Sequence, residues 1–321
     1  MSATLQGSDL EILSSALDFH QQGLAPLLVT VLKTWGSAPR PAGSLLVMTA
    51  TGRHAGSVSG GCVEDDLLQR CQQGEWSQLS RPLVIRYGVT QGEAARFGLP
   101  CGGQLELLLE PMLDTDHWQQ LLQDLQAGKV LVRRLNLETG KASLNPNNPA
   151  QLETFTVNED FVQKTYGPQW RMLLIGANHL ARYVTQFALA LDYQVQVCDP
   201  REEYREEWNM PQAPLLTMMP DDAVLALQHY QRTIILALTH DPKLDDMALM
   251  EALNTDAFYI GALGSKLSSD KRRERMRQLA IPEAHIARLR APVGLNIGSH
   301  TPAEIAISIM ADIIAQRNKR A

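Results

Sequence analysis

At 321 residues the chain is about twice the common domain size of roughly 150, so two domains are expected. An apolar share of 45% with a charged share of 20% excludes extended disorder, and a net charge of -6 excludes a general basic field for nucleic acid. Asp9 and Glu11 stand where a signal peptide would be positive, and the most apolar run, Ile305 to Ala315, is short and broken by Asp312, so the chain is expected to be cytoplasmic, with neither nucleic acid nor membrane among its partners.

In chain order, Ser8 and Glu11 have capping-box spacing, and Leu10, Leu13 and Leu17 predict a helix that Gly23 stops. Leu27 to Thr34 and Ser44 to Thr49 read as strands, joined by the proline- and glycine-rich stretch 36–43. A turn at Thr51-Gly52 leads to Gly56-Ser57-Val58-Ser59-Gly60-Gly61-Cys62 and a helix carrying Val63, Leu67, Leu68 and Cys71. Strands follow at Leu83 to Tyr87 and Gln104 to Glu110, a helix at Asp116 to Gln126, and a strand at Val130 to Leu135. Asn145 to Pro149 has linker composition, and the domain boundary is expected between there and about Pro168. From Met172 strand and helix alternate: Leu173 to Ile175, a helix to Leu191, Val195 to Val197, Ile234 to Leu238, Phe258 to Ile260, and a last helix from Pro302 to about Arg317 with Thr301 as its cap. The expected fold class is α/β: an N-terminal α+β domain over 1–150 and a Rossmann-like, doubly wound parallel-sheet domain over 165–321.

In that second domain Gly176 and Ala181 fill the first and third places of a G-x-G-x-x-G/A turn, and Asn178 stands at the second, where glycine lets the backbone touch a pyrophosphate. Asp199 has nearly the spacing of a ribose-binding acid. Ligands of such sheets bind beyond the carboxyl ends of the strands. The candidates there are Gly176, Asn178, His179, Asp199, Arg201, His240, Gly261, Gly264 and Ser265, although tight turns need glycines and caps in any case. The basic stretch Lys271-Arg272-Arg273-Glu274-Arg275 with Arg277 is expected to be a solvated helix face.

In the first domain Gly60-Gly61-Cys62-Val63-Glu64 places a thiol at a helix start, where amides and the helix dipole favour anions and a thiolate. Cys101-Gly102-Gly103 offers a second thiol beside paired glycines, and Arg40 is the cation best placed for a phosphate. Together these suggest a soft-ligand site with amide donors, with Cys62 and Cys101 near a metal. Cys71 and Cys198 are expected to be buried hydrophobes, and four cysteines, too few and too scattered for a disulfide scaffold, fit free thiols in a reducing compartment.

The motifs Gly36-Ser37-Ala38-Pro39-Arg40, Gly56 to Glu64, Cys101-Gly102-Gly103, the Gly176 turn with His179, Asp199-Pro200-Arg201, Tyr259 to Ser265, and Pro292 to Gly298 with Thr301 to Ala306 resemble the XdhC/CoxI family. The resemblance implies a maturation factor for molybdenum hydroxylases such as xanthine dehydrogenase or aldehyde oxidoreductase, a chaperone rather than an enzyme. It would bind the molybdenum cofactor, as molybdopterin or molybdopterin cytosine dinucleotide, protect it while a cysteine desulfurase installs its terminal sulfur, and insert it into the apo-enzyme. The partners so implied are the apo molybdenum hydroxylase and the desulfurase, and a homodimer is an expected assembly. The family's cysteines fall on Cys62 and Cys101, and Asn178 departs from the family's usual glycine, which weakens NAD(P) as a ligand. Two rivals stay open: an NAD(P)-dependent oxidoreductase drawing on His179, His240 or Lys266, and a thiol redox protein using Cys62 and Cys101.

Overall fold

A computed structural model of the protein describes residues 8–35, 40–88, 104–147, 154–227 and 230–319. The described chain falls into two units, one spanning Ser8–Gly167 and the other running from Pro168 on. In the first, the strands β1 (Leu27–Trp35), β2 (Leu45–Met48), β3 (His54–Gly56), β4 (Leu83–Tyr87) and β5 (Gln104–Pro111) form a sheet of order β3-β2-β1-β5-β4. All its pairings are antiparallel. Both faces are covered, which is why β1 reads as a nearly unbroken apolar run. Leu28, Leu45 and Val47 pack under α1 (Ser8–Gln21) and α3 (Thr115–Gln126) with Leu13, Ala16, Trp118 and Leu121. Val29, Val31, Leu46 and Met48 pack under α2 (Cys62–Gln72) with Val63, Leu67 and Cys71. Burying each such side chain contributes about 1.5–3 kcal/mol, so this two-sided sheet is the rigid base on which α2 stands.

A second sheet belongs to the same unit, of order β7-β6-β9-β8, built from β6 (Leu131–Asn136), β7 (Ala142–Pro146), β8 (Phe155–Val157) and β9 (Phe161–Tyr166). Asn145 and Pro146, expected in a linker, instead lie in β7 opposite Val132 and Leu131. Arg133 of β6 joins the two sheets. Its guanidinium bonds to both oxygens of Glu110 on β5, donates to His117 Nε2 at 2.9 Å and lies over the Trp118 ring at 4.1 Å, with both charges buried.

The second unit alternates as expected: β10 (Trp170–Ile175), α4 (His179–Ala190), β11 (Tyr193–Cys198), α5 (Glu202–Glu207), β12 (Leu215–Leu216), α6 (Pro220–Leu225), β13 (Thr233–Ala237), α7 (Pro242–Leu253), β14 (Tyr259–Ala262), α8 (Lys266–Gln278), α9 (Glu283–Ile286), β15 (Leu289–Arg290) and α10 (Pro302–Asn318). The strands form one parallel sheet of order β12-β11-β10-β13-β14-β15. Strand order reverses between β10 and β13. Leu174, Val195 and Leu236 face one core with Ala181, Val184 and Ile309, while Leu173, Ile175 and Ile235 face the other with Leu249 and Met276.

The basic stretch on α8 is not a wholly solvated face. Arg272 is buried, with Nη2 on Asp245 Oδ2 at 2.9 Å, Nε on Asp246 Oδ1 at 3.1 Å and Nη1 on the Leu263 carbonyl at 3.0 Å. The two α7 aspartates supply the counter-charge that allows an arginine to turn inward. Among the described residues, no helix is long and apolar enough to cross a membrane.

Candidate functional site

The turn between β3 and α2 is organised by one side chain. Glu64, at the third position of α2 and 9% exposed, folds back so that Oε1 accepts from the amides of Val58 (2.9 Å), Ser59 (2.7 Å) and Gly60 (2.7 Å) and from Ser57 Oγ (2.7 Å). Its Oε2 accepts from the Gly61 amide at 2.9 Å and from the Ser59 hydroxyl. Burial would raise the pKa of this carboxyl, but the Ser59 hydroxyl and the amides of Ser59, Gly60 and Gly61 outweigh it and lower the pKa to about 2. The amides from Val58 to Gly61, expected to receive a ligand's anion, therefore point at Glu64, and Glu64 is a positioning group rather than a contact. A glycine at the cap position has no side chain to satisfy these donors, so the glutamate three residues on supplies both oxygens.

With the turn held from inside, its outside is free. Cys62, the first residue of α2, is exposed. Gly60 has φ +84°, the left-handed region that favours glycine, and a Cβ built on it would meet nothing within 4 Å. At Gly61, with φ 170° and ψ -117°, a Cβ would also meet nothing within 4 Å. Packing within the chain therefore does not require glycine at 61. Arg40 reaches the same turn: its Nε donates to Ser57 Oγ at 3.4 Å, and its side chain is exposed. Four expected residues, Arg40, Gly60, Gly61 and Cys62, thus meet at one corner. Cys101, Gly102 and Gly103 lie outside the described residues. The described residues continue from Gln104, paired with Trp35, which is 45% exposed at the same end of the sheet. Trp35 carries no signal in the sequence, because an exposed aromatic at a strand end looks there like any strand residue.

Cys71 and Cys198 are buried, and desolvation raises both thiols, Cys198 to about 12. Among the described residues, no group of three or more His, Cys, Asp or Glu could hold a metal ion.

At the carboxyl edge of the second sheet the expected residues do structural work. Gly176 has φ +110°, and a Cβ there would come within 3.0 Å of Thr239 Cα. Asn178 caps α4, its Oδ1 accepting from the Ala181 amide at 3.0 Å. Asp199 is fully buried and bound by Arg201 and by the Ala177 amide. Burial opposes its ionisation, but these bonds keep its pKa below the ordinary value. His179 is exposed, its ring 5.0 Å from that of Tyr183, and His240 is exposed at φ 66°. Gly261 is buried, where a Cβ would strike Val293, Leu236 and Tyr259. At Gly264 a Cβ would strike Ser268 Oγ, and Ser265 caps α8.

The corner and the parallel sheet can be set beside known proteins. Residues 19–88 match the XdhC and CoxI family, and residues 172–313 match the XdhC Rossmann domain. The chain is similar to a protein of Bacillus subtilis (strain 168) named as a probable subunit of xanthine dehydrogenase, with 27% identity over 91% of this chain and 93% of that one. It is also similar to the molybdenum cofactor insertion chaperone PaoD of Escherichia coli (strain K12), with 26% identity over 95% of this chain and 88% of that one. A crystal structure described as a xanthine dehydrogenase from Bacillus halodurans superposes with a TM-score of 0.74, at 26% identity, covering 98% of this chain and 97% of the other. With the two halves matching in order and the relatives aligned nearly end to end, the chain belongs to the XdhC and CoxI family.

Proposed function

We propose that the corner at the start of α2 seats a molybdenum cofactor, and that the chain is a carrier in the maturation of a molybdenum hydroxylase and not a turnover enzyme. The observation that carries the reading is the exposed Cys62 thiol beside Gly60 and Gly61, with open space over both glycines. A thiolate is a soft ligand, suited to a metal already held by sulfur. Arg40, at the same turn, suits the phosphate end of a pterin, since a guanidinium pairs with phosphate oxygens through two parallel bonds. The phosphate then rests on Arg40 and not on the Val58 to Gly61 amides, which Glu64 holds. The exposed Trp35 ring offers a flat face for the pterin, and Cys101 supplies a second thiol.

The relative named as a molybdenum cofactor insertion chaperone supports this reading. In it, the cargo is held while a cysteine desulfurase installs the terminal sulfur, and it leaves when an apo molybdenum hydroxylase binds it more tightly than the carrier does. Cargo in either the molybdopterin or the cytosine dinucleotide form would present the same pterin to Cys62. The test is molybdenum and pterin content per chain after co-expression with cofactor synthesis. Cys62→Ala is expected to retain about tenfold less cargo, the equivalent of about 1.4 kcal/mol, with losses also for Cys101→Ala and Arg40→Ala. Undiminished retention in Cys62→Ala, together with undiminished activation of the target enzyme, would overturn the proposal.

A further inference from the structure

A parallel sheet of this topology holds a dinucleotide between the turns that follow the two strands at which the order reverses, here β10 and β13. The pyrophosphate needs a bare backbone at the second position of the first turn, and the ribose needs a free carboxylate at the end of the next strand. Neither is free in this chain. Asn178 occupies the second position, and its Nδ2 donates to the Leu238 carbonyl at 2.6 Å while its Oδ1 holds the Ala181 amide. The side chain thus spans the gap between the two turns. Below it, Gly176 and Thr239 approach so closely that a Cβ on Gly176 would lie 3.0 Å from Thr239 Cα.

The ribose position is equally taken. Asp199 Oδ1 accepts from the Arg201 amide at 3.1 Å and Nε at 2.9 Å, and Oδ2 accepts from Arg201 Nη2 at 2.8 Å and the Ala177 amide at 2.9 Å. The guanidinium is itself held over the Tyr204 ring at 3.8 Å. A carboxylate with four bonds already made has no lone pair to offer a ribose hydroxyl without giving one up.

We infer that the dinucleotide crevice of this fold is sealed here by the chain's own side chains, Asn178 across the pyrophosphate position and Arg201 on the ribose-binding acid, so that the second unit takes neither NAD nor NADP. Its glycine-containing turn serves the joint between β10 and β13 instead. The residues and ligands concerned are distinct from those of the Cys62 cargo corner, so failure of one reading leaves the other standing.

Titrating the full chain with NADH and NADPH, followed by the fluorescence of the nicotinamide, tests it. The native protein is expected to show no saturation up to about 1 mM. Arg201→Ala releases Asp199 from its guanidinium, leaving only the two backbone amides on it, and Asn178→Gly restores the bare turn, glycine being a tolerated cap. The double variant is expected to bind NADH at least about tenfold more tightly than the native chain. Saturable binding by the native protein below about 100 μM would overturn the inference. So would a double variant, folded by circular dichroism, that is as inert as the parent, because the named side chains would then not be what excludes the ligand. If the double variant does not fold, Arg201→Ala alone carries the same expectation and the same refutation.

Discussion

Replacing Glu64 by glutamine preserves the size of the side chain and removes its charge, which isolates what the carboxylate does at the start of α2. Its two oxygens accept four amides and two hydroxyls. A glutamine keeps one oxygen and turns an NH2 group toward the donors of the other, the Gly61 amide and the Ser59 hydroxyl, so donor would face donor. The fall in pKa from 4.5 to about 2 gives the scale. At about 1.4 kcal/mol per pH unit it amounts to about 3 kcal/mol, an upper figure because water reaches part of the group. The folded value lies below the unfolded one, so this stabilisation is complete above about pH 4.5 and is lost as the pH falls through about 2. Urea unfolding of the native chain and Glu64→Gln should therefore differ by about 3 kcal/mol at pH 7 and by about half that at pH 3. Equal stabilities at pH 7, or a difference that does not change with pH, would refute the assignment of this turn to a buried carboxylate.

Three further outcomes are expected. Alkylation of the native protein followed by peptide mass mapping should modify the exposed Cys62 and leave the buried Cys71 and Cys198 unmodified until denaturant is added. Gly176→Ala should cost about 2–4 kcal/mol, since both the left-handed backbone and Thr239 oppose a Cβ, whereas Gly61→Ala, where a Cβ meets nothing within 4 Å, should cost less than that and still lower cargo retention. Arg272→Ala should destabilise by about 3–5 kcal/mol in chemical denaturation, because it strands the buried Asp245 beside Asp246.

Most of the second unit could be read in the sequence, since strands such as β10 and β13 are short apolar runs and several helices open on a cap, as Thr301 with Glu304. What the crevice residues do could not. The Asn178 bond to Leu238 joins positions 60 apart, and only the fold brings a side chain at a glycine position onto that carbonyl. Arg272 was hidden in the same way: a run of charges predicts a wet helix face until Asp245 and Asp246, on another helix, make one of them a core residue. In the first unit the glycine corner and its thiol were visible, but the helix start looked like an amide-rich anion site because the reach of Glu64 back over its own turn leaves no trace in spacing alone. Strands β8 and β9 escaped because Gln163, Lys164 and Thr165 break the apolar pattern that marks an edge of the core.

The Arg133 junction bears on how the first unit comes apart. Peeling one sheet from the other would strand a guanidinium and the Glu110 carboxylate in a poorly hydrated gap, a step costlier than either sheet's own fraying. Partial melting is thereby disfavoured, and heat should take both sheets in one calorimetric transition whose van't Hoff and measured enthalpies agree. Arg133→Met leaves the buried Glu110 carboxylate without its partner even with the sheets in place, so separation no longer costs more, and the β7-β6-β9-β8 sheet should exchange its amide hydrogens ahead of its neighbour.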